Sequence, residues 1–587
     1  MSAAEAVQLV QPGDRVWVGS ACGTPRALLA ALNQARLPGV KLVHFLADGV
    51  TVDGEVRYPQ EVFFVGSELR GIAGPVDYLP VSLPELPALI ARGQHRIDVA
   101  LIQVSPPDEN GLCSLGVSVD VTHAAALAAR TVLAEINPAM PRTGPTTVLP
   151  VSRIAAFVEV DPVVREYVHE PAGETAERIA PYVARLVPDG ATLQLGLGRI
   201  PDDMQRHLSG RRGLRVHSDV ITDGVVDLLD SGAVRPGPGA VVASMAVGTA
   251  RLFDRLDASR VVLEPLEDVC RLGRLAAIER LVSVTQAFAV DLTGQVCTDT
   301  DDGQRYGGVA SQSLMHWMAA HSRGGRAVVC LASTFPDGSS RIRPALLADE
   351  AATIGRADVH YVVTEYGTAY LFGRSLRERA VALIELAHPS VRAALLNAAA
   401  EAGLVPEGQS LRSRGAYPGD EERTVTLTDG ATVLVRPART GDAPALQDLF
   451  YRMPPADVFT RFFRHLTTLP LSTAEHLTSV SFEDEVTFLA VVGDWGSEQV
   501  VGTVSYYLDP TSGQADVAFM VDPDWKGRGL GSALRDVVVD AARRRGVVAL
   551  TADVLVENRA MLAVFRASGL PLTARSSHGV TEVVLTL

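Results

Sequence analysis

Three stretches of this 587-residue chain place reactive side chains and glycines at spacings that can do chemistry. One is Lys526-Gly527-Arg528-Gly529-Leu530-Gly531-Ser532, which follows the β-branched run Ala515–Val521. Alternating apolar and polar side chains predict a strand over 515–521. The glycines then let a turn aim its N–H groups at one point, and a helix opening at Ser532 adds its positive end. Lys526 and Arg528 add charge, so the stretch suits a pyrophosphate. A second stretch is Gly196-Leu197-Gly198-Arg199-Ile200-Pro201, after the predicted strand Thr192–Leu195. Glycines between a strand and a helix bring N–H groups close to an anion or oxyanion. A structural tight turn uses the same residues equally well. The third is Val216–Gly224, where His217, Asp219 and Asp223 crowd a strand-to-turn segment. Taken alone, that pattern is a surface turn first and a reactive carboxylate second.

Elements must hold these residues in place, and the front of the chain shows an internal repeat. Helix, Pro12-Gly13-Asp14 and strand Arg15–Val18 recur as helix Ala176–Leu186, Pro188-Asp189-Gly190 and strand Thr192–Leu195. The strand Val99–Val104 with a turn into Cys113 recurs as Leu281–Val290 with a turn into Cys297. A strand closing on a glutamate appears as Thr131–Ala134 with Glu135 and as His360–Thr364 with Glu365. Either glutamate can cap a neighbouring turn; at a strand end facing a cleft, Glu365 is also a site candidate. The order implies two related α/β halves, each a mostly parallel sheet with covering helices. The interval between the last two landmarks is longer in the second half. We read Thr298–Leu346 as an insertion that serves a site in the cleft between the halves. The polar text SLRSRGAYPGDEER (410–423) reads as a linker, and a further unit opens with the strand Ala431–Val435. The expected division is 1–175 and 176–405 for the two halves, 406–424 for the linker and 425–587 for the last unit.

Composition narrows the function classes. The length exceeds one hydrophobic core and fits roughly three or four domains. With 53 basic and 68 acidic side chains the net charge is -15. That argues against nucleic acid as the main partner, because phosphate backbones require a positive surface. Five scattered cysteines, without zinc-ligand spacing, read as reduced thiols, and no metal site is expected. The opening MSAAEAVQLVQPGD has no basic region followed by an apolar stretch, so no secretory signal is expected. No apolar run reaches membrane-helix length. The reading is cytoplasmic. Lys41 and Lys526 are the only lysines, so arginine supplies nearly all the positive charge.

Taken in order, GLGRIP (196–201), HSDVITDG (217–224), VDLTGQVC (290–297), YGGVASQ (306–312), VVTEYG (362–367) and RAVALIELAHP (379–389) resemble the acetyl-CoA hydrolase/transferase family. SPPDENG (105–111) and AEIN (134–137) extend the likeness over about residues 5–400. The 4-hydroxybutyrate and butyrate CoA-transferases look most similar. The resemblance implies a carboxylate that attacks an acyl-CoA thioester, then carries CoA as an enzyme thioester until an incoming carboxylate resolves it. It places oxyanion donors at Gly196–Gly198 and Gly367 and ligand contacts at Gly307 and Gly308. The family's nucleophilic glutamate is here Asp219, one methylene shorter. Three outcomes stay open: Asp219 acts with a shifted backbone, another carboxylate such as Glu365 takes over, or the unit binds acyl-CoA without turnover. The family's GGVGGQ is also altered, to Gly307-Gly308-Val309-Ala310-Ser311-Gln312. His217 either orients a loop or joins the catalysis, and His388 before Pro389 reads as structural.

KGRGLG (526–531), the predicted strand Val548–Val554 and Asn558-Arg559-Ala560-Met561 together resemble GNAT-family N-acetyltransferases. That resemblance implies acetyl-CoA bound by Val521, Lys526, Gly527, Arg528, Gly529, Gly531, Ser532 and Asn558. An amine then attacks the thioester directly, which requires a base. Asp516 stands where related protein acetyltransferases carry a glutamate, although an edge-strand aspartate in water fits it equally well. Phe565 replaces the family's usual tyrosine acid. FTRFFRHL (459–466) resembles the lead-in helix of protein acetyltransferases. The expected partners are acyl-CoA, small carboxylates and a lysine on a separate protein, with homo-oligomerisation open. Two readings result: a bifunctional enzyme, or an acyl-CoA-sensing module that governs a protein acetyltransferase.

Overall fold

The computed structural model describes the chain except residues 73, 169–172, 257–259, 407–410, 412–417, 419–420, 440–441, 479–483 and 494–497. The expected linker at 406–424 lies largely outside the described residues. Contacts divide the chain into two units, Met1–Phe372 and Gly373–Leu587.

The first unit holds two parallel sheets. Sheet one comprises β1 (Arg15–Val18), β2 (Lys41–His44), β3 (Gln60–Val62), β4 (Val76–Tyr78), β5 (Val99–Val104), β6 (Thr131–Ile136) and β7 (Ala156–Glu159). Its strands lie in the order β7-β6-β5-β1-β2-β3-β4, all parallel. Sheet two comprises β8 (Thr192–Leu195), β9 (Arg215–His217), β10 (Val241–Ala243), β11 (Val261–Leu263), β12 (Leu281–Gln286), β13 (Arg326–Cys330), β14 (Tyr361–Thr364) and β15 (Gly367–Tyr370). The order is β11-β10-β9-β8-β12-β13-β14-β15, with only β15 antiparallel to its neighbour. Strands covered on both faces read as unbroken apolar runs. β5 and β13 accordingly bury every side chain.

Matching the two strand orders equates β1 with β8, β5 with β12, β6 with β13 and β7 with β14. The first two sequence landmarks therefore fall on equivalent strands. The third does not, since Glu135 lies on β6 whereas Glu365 follows β14, one strand further out. The interval read as an insertion contains helix Gln312–His321 and β13, the counterparts of helix Thr122–Ala128 and β6. Much of it is thus a regular part of the repeat. The two glutamates misled because both do the same local work, accepting hydrogen bonds from a neighbouring segment.

The second unit begins with helices α1 (Leu376–Leu386) and α2 (Pro389–Glu401). Ser375 and Glu378 form a capping box on α1, and His388 Nδ1 accepts the Ser390 N–H to cap α2. An eight-stranded sheet follows: β16 (Arg423–Thr426), β17 (Thr432–Pro437), β18 (Glu485–Val492), β19 (Gln499–Asp509), β20 (Gln514–Val521), β21 (Ala549–Leu555), β22 (Leu572–Ser577) and β23 (Val580–Thr586). Helices α3 (Ala443–Arg452), α4 (Pro455–Phe462) and α5 (Leu471–Thr478) precede β18. Helix α6 (Leu530–Arg544) joins β20 to β21, and α7 (Arg559–Arg566) comes next. The order is β16-β17-β18-β19-β20-β21-β23-β22, antiparallel except for β20 beside β21. Leu534 and Val538 of α6 pack with Val486, Val504 and Val517. Leu446 and Phe450 of α3 pack in a second core with Leu489 and Met520. The FTRFFRHL helix ends early: Phe462 closes α4, and Phe463 turns left-handed at φ 52.

Candidate active sites

Asp219 lies just past the carboxyl end of β9, where open α/β sheets receive ligands. Its backbone is pinned, because its carbonyl accepts the Ser244 N–H at 3.1 Å. Next to it, Ser218 exchanges hydrogen bonds with Leu195 at the end of β8, at 3.1 and 3.2 Å. The Asp219 carboxylate receives the Ser311 hydroxyl at Oδ2 and the Ser218 hydroxyl at Oδ1, the latter a long 3.4 Å. Burial pushes its pKa above the ordinary aspartate value, against the Ser311 and Gln194 hydrogen bonds that favour the ionised form. His217 is turned away: Nε2 donates to the Val269 carbonyl at 2.7 Å. Burial lowers its pKa, so it stays neutral and anchors a loop.

One expected donor is employed elsewhere. Gly196 N–H donates to the Val284 carbonyl at 2.9 Å within the sheet, so it is not free for an oxyanion. Its partner Gly198 is required by space, since a Cβ there would stand 2.6 Å from Gln286 Oε1. Gly367, at φ 127, opens β15 opposite Thr364, with Glu365 and Tyr366 forming the turn. Both Glu365 oxygens are taken: Ser333 donates its hydroxyl at 2.6 Å and its N–H at 3.0 Å. Glu135 is likewise engaged by Leu28 N–H and the Gln103 amide.

Gly307 and Gly308 allow close approach of backbone to backbone. Added Cβ atoms would sit 2.3 Å from the Thr298 carbonyl and 2.2 Å from the Phe63 carbonyl. The segment is sewn to the first half by Val65 N–H to Gly307 O (3.2 Å), Gly66 N–H to Tyr306 O (2.8 Å) and Leu83 N–H to Ala310 O (2.9 Å). This stitching carries Ser311 onto Asp219. Ser311 was not among the expected site residues. Its signal was present as two departures, at 219 and 311, in motifs about ninety residues apart, but only the fold brings them into contact.

In the second unit, β20 and β21 pair only over Gln514–Asp516 with Ala549–Thr551, so their ladder stops at Asp516. Beyond that point β20 leads to Val521, then the turn and α6, whose first N–H groups lack intrahelical acceptors. Gly527 and Gly529 take φ 74 and 89, and Gly529 is the N-cap of α6. Gly531 and Ser532 lie in the first turn of α6. The cations are already engaged: Lys526 Nζ pairs with Asp457 at 2.6 Å, and Arg528 pairs with Asp429 while lying 4.1 Å over the Trp525 ring. Asn558 Oδ1 accepts the Met561 N–H at 3.1 Å, capping α7. Asp516 faces Tyr507 in register. Burial raises its pKa, Arg461 of α4 opposes that shift, and Asp553 reinforces it. Phe565 is core, edge-on to Phe519 at 5.9 Å.

The chain thus pairs a duplicated parallel α/β frame, with a carboxylate at its sheet end, with a mostly antiparallel sheet whose β20 leads through a glycine turn into a helix. Residues 1–168 match the acetyl-CoA hydrolase/transferase N-terminal domain, residues 248–399 its C-terminal domain, and residues 447–570 the acetyltransferase (GNAT) family. The 4-hydroxybutyrate coenzyme A transferase of Clostridium kluyveri is 37% identical over 412 residues, 68% of this chain and 96% of that protein. The crystal structure of RipA from Yersinia pestis is 29% identical, with a TM-score of 0.63, over 69% of this chain and 97% of that one. An acetyltransferase of Pseudomonas aeruginosa is 29% identical over 136 residues, 23% of this chain and 73% of that protein. The chain belongs to the acetyl-CoA hydrolase/transferase family and carries a C-terminal GNAT domain. Coenzyme A thioesters are the substrates of both families. Among the described residues no helix is long and apolar enough to cross a membrane.

Proposed function

We propose that the duplicated front of the chain moves CoA between small carboxylic acids through Asp219, and that the C-terminal domain acetylates a lysine on a separate protein. The functional parts are 1–175 and 176–405 for the transferase and 425–587 for the acetyltransferase, acting in the cytoplasm. The observation that carries the first assignment is the state of the carboxylates. Asp219 stands at the sheet end and accepts from the hydroxyl groups of Ser311 and Ser218, whereas Glu365 is tied to the backbone N–H as well as the hydroxyl of Ser333. An ionised Asp219 oxygen attacks the thioester carbon, forming a C–O bond and releasing CoA thiolate. The thiolate then attacks Cγ of Asp219, expels the acyl group as its carboxylate and leaves CoA on the enzyme. An incoming carboxylate reverses both steps. A carboxylate suits this cycle because it is both a competent nucleophile and a competent leaving group.

The test incubates the protein with labelled acetyl-CoA, with and without acetate, propionate or succinate, and follows CoA release and acyl exchange. Exchange that Asp219→Ala abolishes is the expected result. Tight acyl-CoA binding without exchange would instead make the first unit a sensing module.

For the second unit, Asp516 is the proposed base, at the point where the β20–β21 ladder ends. Asp553 and Glu485 add negative charge around the Asp516–Tyr507 pair, which suits a cationic acceptor. Val521, the glycine loop, Ser532 and Asn558 are the proposed acetyl-CoA contacts, with Lys526 and Arg528 leaving their carboxylate partners for the pyrophosphate.

A further inference from the structure

We infer that Ser311 is a positioning residue that makes an aspartate workable as the nucleophile of the first unit. Its hydroxyl orients Asp219 through Oδ2, leaving Oδ1 to attack, and donates to Oδ2 when that oxygen becomes an oxyanion. This rests on the assignment of Asp219 as nucleophile.

Three observations support it besides the contact itself. Ser311 is 0% exposed, so its hydroxyl has no solvent to bond. It is the N-cap of helix Gln312–His321, a place where serine ordinarily accepts an N–H from its own helix. No such bond is made; the hydroxyl reaches Asp219, 92 positions away, instead. The residue before it, Ala310, holds φ 45, a left-handed conformation that costs energy for any residue with a Cβ. That conformation is enforced from outside, by Leu83 N–H on the Ala310 carbonyl and by Gly308 wedged against the Phe63 carbonyl. A forgone cap and a strained neighbour are thus both tolerated at the one position that meets the reactive carboxylate.

The chemistry requires such a donor. When CoA thiolate attacks Cγ of the Asp219 anhydride, a C–S bond forms and the carbonyl electron pair moves onto Oδ2. Collapse of that adduct breaks the Cγ–O bond and releases the acyl carboxylate. Ser311 keeps its proton throughout and stabilises the negative oxygen from a preorganised position, as oxyanion donors do. The Cys270 thiol is coupled to Asp219 electrostatically and is held neutral by burial, while the neutral His217, two positions back, is turned away onto the Val269 carbonyl. Neither supplies a proton to Oδ2.

The test compares Ser311→Ala, Ser311→Thr and Asp219→Ala in the full chain. Its readouts are acyl-CoA:acetate exchange from pH 4 to 8 and borohydride-trapped enzyme–CoA thioester by mass spectrometry. Ser311→Ala is expected to lower kcat by about 100-fold, the scale of losing one oxyanion donor, with KM for acyl-CoA changed far less. Its acid limb should move to higher pH, because the lost bond favoured the ionised carboxylate. Ser311→Thr, which keeps the hydroxyl but adds a methyl group at a fully buried position, should recover part of the rate lost in Ser311→Ala. Wild-type kcat and an unmoved limb in Ser311→Ala would overturn the inference. So would a folded Ser311→Thr that shows the whole loss seen in Ser311→Ala. If Asp219→Ala still forms the thioester, the nucleophile assignment fails; if it does not and Ser311→Ala is normal, only the role of Ser311 fails.

Discussion

At the scale of single residues, the informative feature is a carboxylate shortened by one methylene and met by a hydroxyl. Asp219→Glu alone would push the longer side chain onto Ser311, which is fully buried. Overpacking of that kind costs roughly 1–3 kcal/mol. We therefore expect Asp219→Glu to exchange acyl groups about 5- to 150-fold slower than wild type, the factor that strain converts to. Asp219→Glu with Ser311→Gly should recover activity over the single variant, measured by the same exchange assay. The pH dependence has a definite sign. Burial raises the Asp219 pKa, and the attacking form is the ionised one, so kcat/KM falls as pH falls. The midpoint should lie above the ordinary aspartate value of about 3.9. A midpoint at or below that value would show that the carboxylate is not desolvated in the working enzyme.

Elements decide whether such residues are presented at all. The turn from β20 into α6 depends on Gly529, whose φ of 89 disfavours a side chain and whose Cβ would stand 3.1 Å from Thr428. Gly529→Val should leave acetyl-CoA binding undetectable by calorimetry while the far-ultraviolet circular dichroism stays near wild type. Unchanged affinity would remove the loop from the site. The strand β17 is held by Arg436, 1% exposed at its side chain, which pairs with Asp442 at 2.7 and 2.8 Å and with Glu498 at 2.9 Å. Asp442→Asn removes one of the two carboxylates that compensate this buried charge and leaves Glu498 alone with it. Asp442→Asn is expected to destabilise the second unit by about 3 kcal/mol, read as a lower urea midpoint at pH 7. Burial works to raise the Asp442 pKa, but Arg436 and Arg439 together outweigh it and hold the pKa down, so this stabilisation is present at neutral pH and is lost as pH falls through the depressed folded value. The difference between the two proteins should shrink in acid.

For the whole molecule, charge and lysine content make a joint prediction. The net charge is -15, and the two lysines are both ion-paired, Lys41 with Glu61 at 3.5 Å and Lys526 with Asp457. Incubation with acetyl-CoA alone should therefore leave the chain almost unmodified by mass spectrometry. Added cell lysate should yield acetylated lysines on other proteins. Product confined to polyamines or amino acids would overturn the protein-directed reading of the second unit.

Much of this protein was legible without coordinates, for local reasons. Strands 99–104 and 192–195 are buried throughout and strand 15–18 from Val16 on, and turn residues such as Pro12-Gly13-Asp14 and Pro188-Asp189-Gly190 mark where two of them begin. The loop after β20 is set by glycines whose backbone angles other residues avoid. The nucleophile candidate Asp219 was likewise visible from its motif. What the sequence alone misassigned was correspondence over long range. Glu135 and Glu365 close similar strands, and only the order of neighbours in the sheets shows that they are not equivalent. Gly196 reads as an oxyanion donor and Gly307 as a ligand contact; in the fold the Gly196 N–H bonds the Val284 carbonyl, and a Cβ at Gly307 would meet the Thr298 carbonyl. The contact of Ser311 with Asp219 depends on how residues 63–83 clamp residues 306–310. No local propensity encodes a meeting between segments so far apart along the chain; the docking of the two halves decides it.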